Sequence, residues 1–220
     1  MELIEAIRKR HSVRQYTDKP IEPDILNALQ AEIDACNREG GLHIQLVTNE
    51  PKAFGSFMAH YGKFSGVTNY IALVGKKDDM LEEHCGYYGE RLVLKAQSLG
   101  LNTCWVAMTY KKIPGAFEVR KGEKLTVVIS LGYGAVQGVA HKSKAVDAVS
   151  NASANTPDWF QEGVKCALLA PTAMNQQKFT FTCTDGKVTA KAGKGFYTKI
   201  DLGIVKYHFE IGAGKAIFYK

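Results

Sequence analysis

No apolar run in the sequence approaches the ~20 residues that span a bilayer. The opening residues, MELIEAIRKR, lack the apolar core of a signal peptide. The expectation is a cytoplasmic protein with no membrane partner. Cysteine is sparse and unpatterned: Cys36, Cys85, Cys104, Cys166 and Cys183 are odd in number, form no CxxC and sit among apolar neighbours. That usage argues against a secreted disulfide frame or a zinc site and fits reduced thiols. The six histidines show no ligand spacing with the cysteines, so no metal is expected. No GxGxxG follows the first expected strand, which removes the signature of a doubly wound dinucleotide fold. Ser, His and Asp fall into no nucleophile motif, so no side chain is assigned a catalytic role. There is also no nucleic-acid motif, and the lysines are spread along the chain. The net charge of +6 then suits an anionic small ligand better than a nucleic acid.

What is present is a globular composition, 45% hydrophobic and 23% charged over 220 residues. A chain of this size buries roughly 70% of its unfolded surface and needs no disulfide or metal to hold a core. It forms a single domain over 1–220 or two related halves, 1–148 and 149–220. The small, polar stretch Val149–Thr156 marks the junction.

Helical spacing of Leu3, Ile4 and Ile7 predicts a first short helix. It is followed by Arg10-His11-Ser12-Val13-Arg14-Gln15-Tyr16. Two guanidinium forks around a hydroxyl match the oxygens of a phosphate monoester, although a solvated basic turn has the same composition. Pro23-Asp24 opens a second helix along Ile25, Leu29, Ile33 and Cys36, which stops at Gly40-Gly41. Alternation in His43–Thr48 predicts a strand, and Pro51–His60 a short helix. The continuous apolar runs Tyr70–Gly75 and Leu125–Leu131 predict buried strands, separated by a long helix ending near Gly100. Gly86 and Gly89 inside that helix lower its propensity and imply the close approach of a backbone, a flat ligand or a crossing helix. Thr156-Pro157-Asp158 opens a further helix that ends at Ala170-Pro171. Phe179–Cys183 and Lys187–Ala192 flank Asp185-Gly186 as a hairpin. A last helix starts near Asp201, and Ala216–Tyr219 reads as a final short strand. Helices thus mix with strands without βαβ repetition. The fold class is α+β, with a mixed, mainly antiparallel sheet packed by helices.

A second informative stretch is Ala170-Pro171-Thr172-Ala173-Met174-Asn175-Gln176-Gln177. Its small residues admit a planar ring, and its amides offer donors and acceptors to a ring edge or to a polar turn.

Together, RHSVRQYTDKPI, LVLKAQSLGLNTCWV, ISLGYG followed by HKSK, and APTAMNQQKF resemble the FMN-dependent nitroreductase family. The Ala170 motif stands in the second half of the chain, whereas family members usually carry it before the first strand. In this the chain resembles a single-chain subgroup of the family. Pro157-Asp158, a helix, a turn and KFTFTC also echo Pro23-Asp24, a helix, a turn and HIQLVT, which fits an internal duplication.

The resemblance implies a nitroreductase-like fold that binds FMN. Arg10, His11, Ser12 and Arg14 would lie at its phosphate, joined by Lys142 and Lys144. Five cations exceed what one dianion needs, which leaves one or two for solvent. Pro171, Thr172, Ala173, Met174, Asn175 and Gln177 would lie along the ring and ribityl chain. Thr103, Cys104, Trp105 and Val106 would border the flavin's pyrimidine and N5 region, with main-chain N–H groups favouring its reduced form. Trp105 stacks there or is plain core. The implied activity is NAD(P)H oxidoreduction of nitroreductase type, a ping-pong exchange of hydride through N5 to a small organic electron acceptor. The alternative is a non-catalytic flavin-binding or regulatory protein on the same fold. In the family, two chains share each site. Here one chain carries both kinds of loop, so it imitates a dimer internally or pairs the loops as a homodimer.

Overall fold

The apolar runs Tyr70–Gly75 and Leu125–Leu131 lack alternation, so their strands need cover on both faces. They become β2 (Asn69–Lys76) and β4 (Glu123–Gly132). With β1 (Gln45–Val47) and β3 (Asn102–Val106) they form a sheet of order β1-β2-β4-β3 in which every neighbouring pair is antiparallel. Ile71 stands opposite Ile129, and Cys104 opposite Ser130. The structure, a computed structural model, describes residues 1–219.

Among the described residues six α-helices surround this sheet: α1 (Leu3–Lys9), α2 (Pro23–Gly40), α3 (Phe57–Tyr61), α4 (Leu81–Ser98), α5 (Asp158–Ala167) and α6 (Thr198–Ala213). On one face Ile71, Leu73, Ile129 and Leu131 pack with Cys85 and Leu92 of α4 and Leu29 and Ile33 of α2. On the other, Tyr70, Ala72, Val74 and Val128 meet Val13, Phe54 and Phe64. Each such aliphatic side chain contributes about 1.5–3 kcal/mol on burial. The hairpin β5 (Phe179–Thr184) and β6 (Lys187–Ala192) forms a separate two-stranded sheet. No helix is long and apolar enough to cross a membrane among the described residues, and no group of His, Cys, Asp and Glu there could hold a metal ion. All five cysteines are free.

The glycines of α4 serve packing. A Cβ on Gly86 would lie 2.0 Å from the Ile200 carbonyl oxygen, and one on Gly203 of α6 would lie 2.0 Å from that of Glu83. Of the approaches open to Gly86, a helix crossing is the one realised. Gly89 instead admits the Trp105 ring.

Four expected elements differ. Pro51–His60 is not one helix: a 3-10 turn over Pro51–Ala53 is separated from α3, and Glu50 accepts from Lys52 and Ala53 N–H to close the turn early. Ala216–Tyr219 forms no strand, because the Glu210 carboxylate takes the N–H groups of Ile217 and Phe218. The last helix begins at Thr198, ahead of Asp201, and α5 closes at Ala167, ahead of Ala170.

β3 is an edge strand, and its free side is covered by the stretch that follows α1. Ser12 bridges Thr103 in parallel, and Val13 N–H donates to the Thr103 carbonyl at 3.0 Å. An exposed edge is thereby closed, and the basic turn is fixed against the sheet.

Candidate functional site

The turn is held by backbone at both ends, which leaves its charged side chains free to project. Tyr16 is buried, and its hydroxyl donates to the Val13 carbonyl at 2.8 Å and lies 2.8 Å from Ser130 Oγ. Tyr16 N–H bonds Ser65, Ser65 N–H bonds Arg14, and Ala135 N–H bonds Gln15. Arg10 turns inward and is only 4% exposed. Its Nε has no hydrogen-bond partner among the described residues. Burial lowers the Arg10 pKa, opposed by the nearby Glu90 carboxylate, whose Oε1 is 3.9 Å away. A buried cation with an open donor is costly unless a ligand answers it.

The second wall is the loop between α5 and β5. Pro171 stops the helix region, and the backbone then enters a 3-10 turn over Ala173–Asn175. Met174, Asn175 and Gln177 adopt left-handed φ of 52°, 53° and 45°. Such residues cost about 1–3 kcal/mol each and persist only when their surroundings fix them. Here the surroundings are visible. Gln177 Nε2 donates to the Lys142 carbonyl and to Asn175 Oδ1, both at 2.8 Å. Asn175 Nδ2 also donates to the Lys142 carbonyl, at 2.9 Å. Lys144 gives its backbone N–H to Gln177 Oε1 and its ammonium to the Gln177 carbonyl. From the other side Asp201 of α6 accepts from Ala173 N–H (2.9 Å) and Gln176 Nε2 (2.8 Å). Burial raises the Asp201 pKa to about 6 against the pull of those two donors.

Between turn and loop lie two adjoining cavities that share Ser12, Arg14, Pro171, Thr172 and Met174. One, of about 420 Å³, is flanked by Cys104, Trp105 and Val106 of β3, by Ala173 of the loop, and by Tyr197, Ile200, Asp201 and Ile204 at the start of α6. The other, of about 490 Å³, carries the charge: Arg10, Arg14 and Lys63, with His141 and Asn175. Both volumes fall in the roughly 300–1,000 Å³ range of small-molecule sites. Exposed apolar side chains stand at the first cavity, Met174 (97% exposed), Phe196 (83%) and Met108. A flat, largely apolar body bearing an anionic group would match this pair of spaces.

Of the residues expected from the sequence, Arg10, Ser12, Arg14, Cys104, Trp105, Val106, Pro171, Thr172, Ala173, Met174 and Asn175 line one cavity or both. His11, Thr103, Lys142, Lys144 and Gln177 do not. Thr103 carries the turn through its carbonyl, and Lys142, Lys144 and Gln177 scaffold the loop. Burial and the neighbouring Arg10 lower the His11 pKa. Sequence reasoning missed Lys63, Asp201 and the α6 residues. The aromatic residues Tyr61, Phe64, Tyr87 and Tyr88 line neither cavity.

Trp105 joins the site to a buried polar cluster. Its indole N–H donates to Glu90 Oε2 at 2.9 Å, and His208 Nε2 lies 2.8 Å from Glu90 Oε1. Glu90 and His208 have no exposed surface.

Residues 2–213 match a family described as "Putative TM nitroreductase". Among solved structures, a putative nitroreductase from Thermotoga maritima is similar at TM-score 0.66 and 22% identity, over 96% of this chain and 83% of that one. A putative nitroreductase from Desulfovibrio desulfuricans, solved in complex with FMN, has TM-score 0.53 and 16% identity over 68% of this chain and 95% of that one. A nitroreductase family protein from Clostridium difficile has TM-score 0.52 and 18% identity over 71% and 100%. At these identities the likeness is one of fold. No curated protein matches the sequence significantly.

Proposed function

The chain belongs to the nitroreductase family, and from that membership we propose that it is an FMN-dependent NAD(P)H oxidoreductase whose flavin site is complete within one chain. The observation that carries the proposal is the inward Arg10. It is buried, and it lines a cavity also lined by Arg14, Lys63 and Asn175. A phosphate monoester supplies the oxygens those donors need. The adjoining cavity, walled by Trp105, Pro171 and Thr172, has room for a planar ring.

In this reading Arg10, Ser12, Arg14 and Lys63 hold the phosphate. Cys104–Val106 and Pro171–Ala173 border the ring. FMN, when bound, supplies reversible two-electron chemistry between a nicotinamide and a second acceptor. The chain's own work is to bind, orient and exclude water. Its strained loop is fixed beforehand by Asp201, Lys142 and Lys144, so little ordering remains to be done on binding. Met108, Met174 and Phe196 give the ring cavity an apolar rim that suits an aromatic reductant and a small organic acceptor in turn. The free thiols fit a reducing cytoplasm.

The test is an absorbance spectrum of the purified protein with added FMN, then with NADH or NADPH under anaerobic conditions. Flavin bands that bleach on reductant are expected. Bands that persist with both nucleotides would leave a flavin-binding protein without this activity. Failure to retain FMN would remove the proposal altogether.

A further inference from the structure

His208 and Glu90 lie behind the site and touch neither cavity. Their hydrogen bonds fix their joint charge. His208 Nδ1 is 3.2 Å from the Cys166 carbonyl oxygen, which can only accept, so Nδ1 carries a hydrogen. One further proton lies on the 2.8 Å line between Nε2 and Glu90 Oε1. Whether it sits on the imidazole or on the carboxyl, the pair is neutral as a whole. The second carboxyl oxygen is occupied by the Trp105 indole N–H. Arg10 Nε, 3.9 Å from Oε1, is beyond hydrogen-bond distance.

We propose that His208 keeps the anion site positive by neutralising Glu90, so that the buried Arg10 holds its full charge for the phosphate of the ligand. This rests on the FMN reading above. Glu90 is the acid that faces Arg10 within ion-pair distance, and Arg10 and His208 are the cations that face Glu90. Remove the imidazole, and Glu90 becomes an uncompensated buried carboxylate with Arg10 as its nearest cation. The two would then close on each other, as buried charges do. The cavity would lose the charge that distinguishes a phosphorylated flavin from an unphosphorylated one. His208 is thus a positioning residue for specificity, acting through Glu90 and Arg10.

The test compares the affinities of FMN and riboflavin, which share a ring and differ in the phosphate. Each is titrated into flavin-free full-length protein by fluorescence quenching. Wild type is expected to prefer FMN. His208→Gln, which can still donate to Glu90 but brings no charge, is expected to lower that preference about tenfold or more, with riboflavin affinity nearly unchanged. Glu90→Gln keeps a partner for the Trp105 N–H and for a neutral His208, and is expected to retain the preference. The double variant Glu90→Gln/His208→Gln restores it to within about threefold of wild type, because no carboxylate remains to capture Arg10. A purely structural role would weaken both flavins together and make the double variant worse than either single one. Full FMN preference in His208→Gln, or its loss in Glu90→Gln, would overturn the proposal. Should His208→Gln not fold, His208→Asn, which also leaves Glu90 without its imidazole, is titrated in its place with the same supporting and overturning results. Wild type that binds neither flavin defeats the FMN reading itself, a distinct result from wild type that binds both equally.

Discussion

Asp201 shows how burial at the cavity wall becomes a pH dependence. Its pKa is raised from an ordinary carboxylate value to about 6, chiefly by desolvation. The folded state therefore binds this proton more tightly than the unfolded chain. That stabilisation is fully present below pH ~4 and is lost as pH rises through 6, about 3 kcal/mol in all. Asp201→Asn is expected to lose this slope: its unfolding free energy from urea titrations should gain on wild type by most of that amount between pH 4 and 7. Parallel profiles for the two proteins would show that the carboxyl titrates normally. Arg10→Ala with Arg14→Ala is expected to strip FMN while the far-ultraviolet circular dichroism stays native, since both side chains border a cavity and Glu90 keeps its bonds to His208 and Trp105. Unchanged flavin content would put the phosphate elsewhere. Arg10, Ser12, Arg14 and the Pro171–Asn175 loop were legible in the sequence because their chemistry is contiguous. Lys63, Asp201 and Glu90 were not, because single charged residues gain meaning only from tertiary neighbours. Lys142 and Lys144 had the right charge, yet the Lys144 ammonium is turned to a carbonyl of the loop it supports.

Whole elements were easier to read where several signals agreed. The runs that became β2 and β4 are apolar throughout, and both their faces are covered. α2 carries its proline at the first turn and ends on Gly41 in the left-handed conformation. Elements failed where a side chain displaced the backbone pairing, as Glu50 does before α3 and Glu210 does for the C-terminal stretch. The two similar helix–turn–strand units also lead to different places: β1 joins the main sheet, whereas β5 joins β6 in a separate two-stranded sheet. The crossing of α4 over α6 is set by Gly86 and Gly203, each with backbone of the other helix where a Cβ would go. Gly203→Ala is expected to destabilise by about 3 kcal/mol or more, since the overlap is with main chain and no rotamer relieves it. A loss of under 1 kcal/mol in chemical denaturation would mean that the helices slide apart freely. Because α6 also presents Ile200, Asp201 and Ile204 to the ring cavity, that variant is expected to weaken FMN binding as well.

Across the whole molecule, one chain brings the basic turn of its N-terminal end to the loop of its second half, so that Arg10 and Asn175 line one cavity. The expected stoichiometry is one FMN per chain, retained on dilution whatever the association state. Sedimentation velocity monitored at the flavin band checks this, and release of flavin in step with subunit dissociation would show that a second chain completes the site. The cavity walls include Ser12, Arg14, Cys104–Val106, Pro171–Met174 and the start of α6, segments that are far apart in the sequence and meet only when the chain is nearly native. Contacts of such long sequence separation form late in folding. A ligand that bridges them has little to grip in the transition state and much to grip afterwards. FMN is therefore expected to leave the refolding rate almost unchanged and to slow unfolding, lengthening the lifetime of the native protein without hastening its formation.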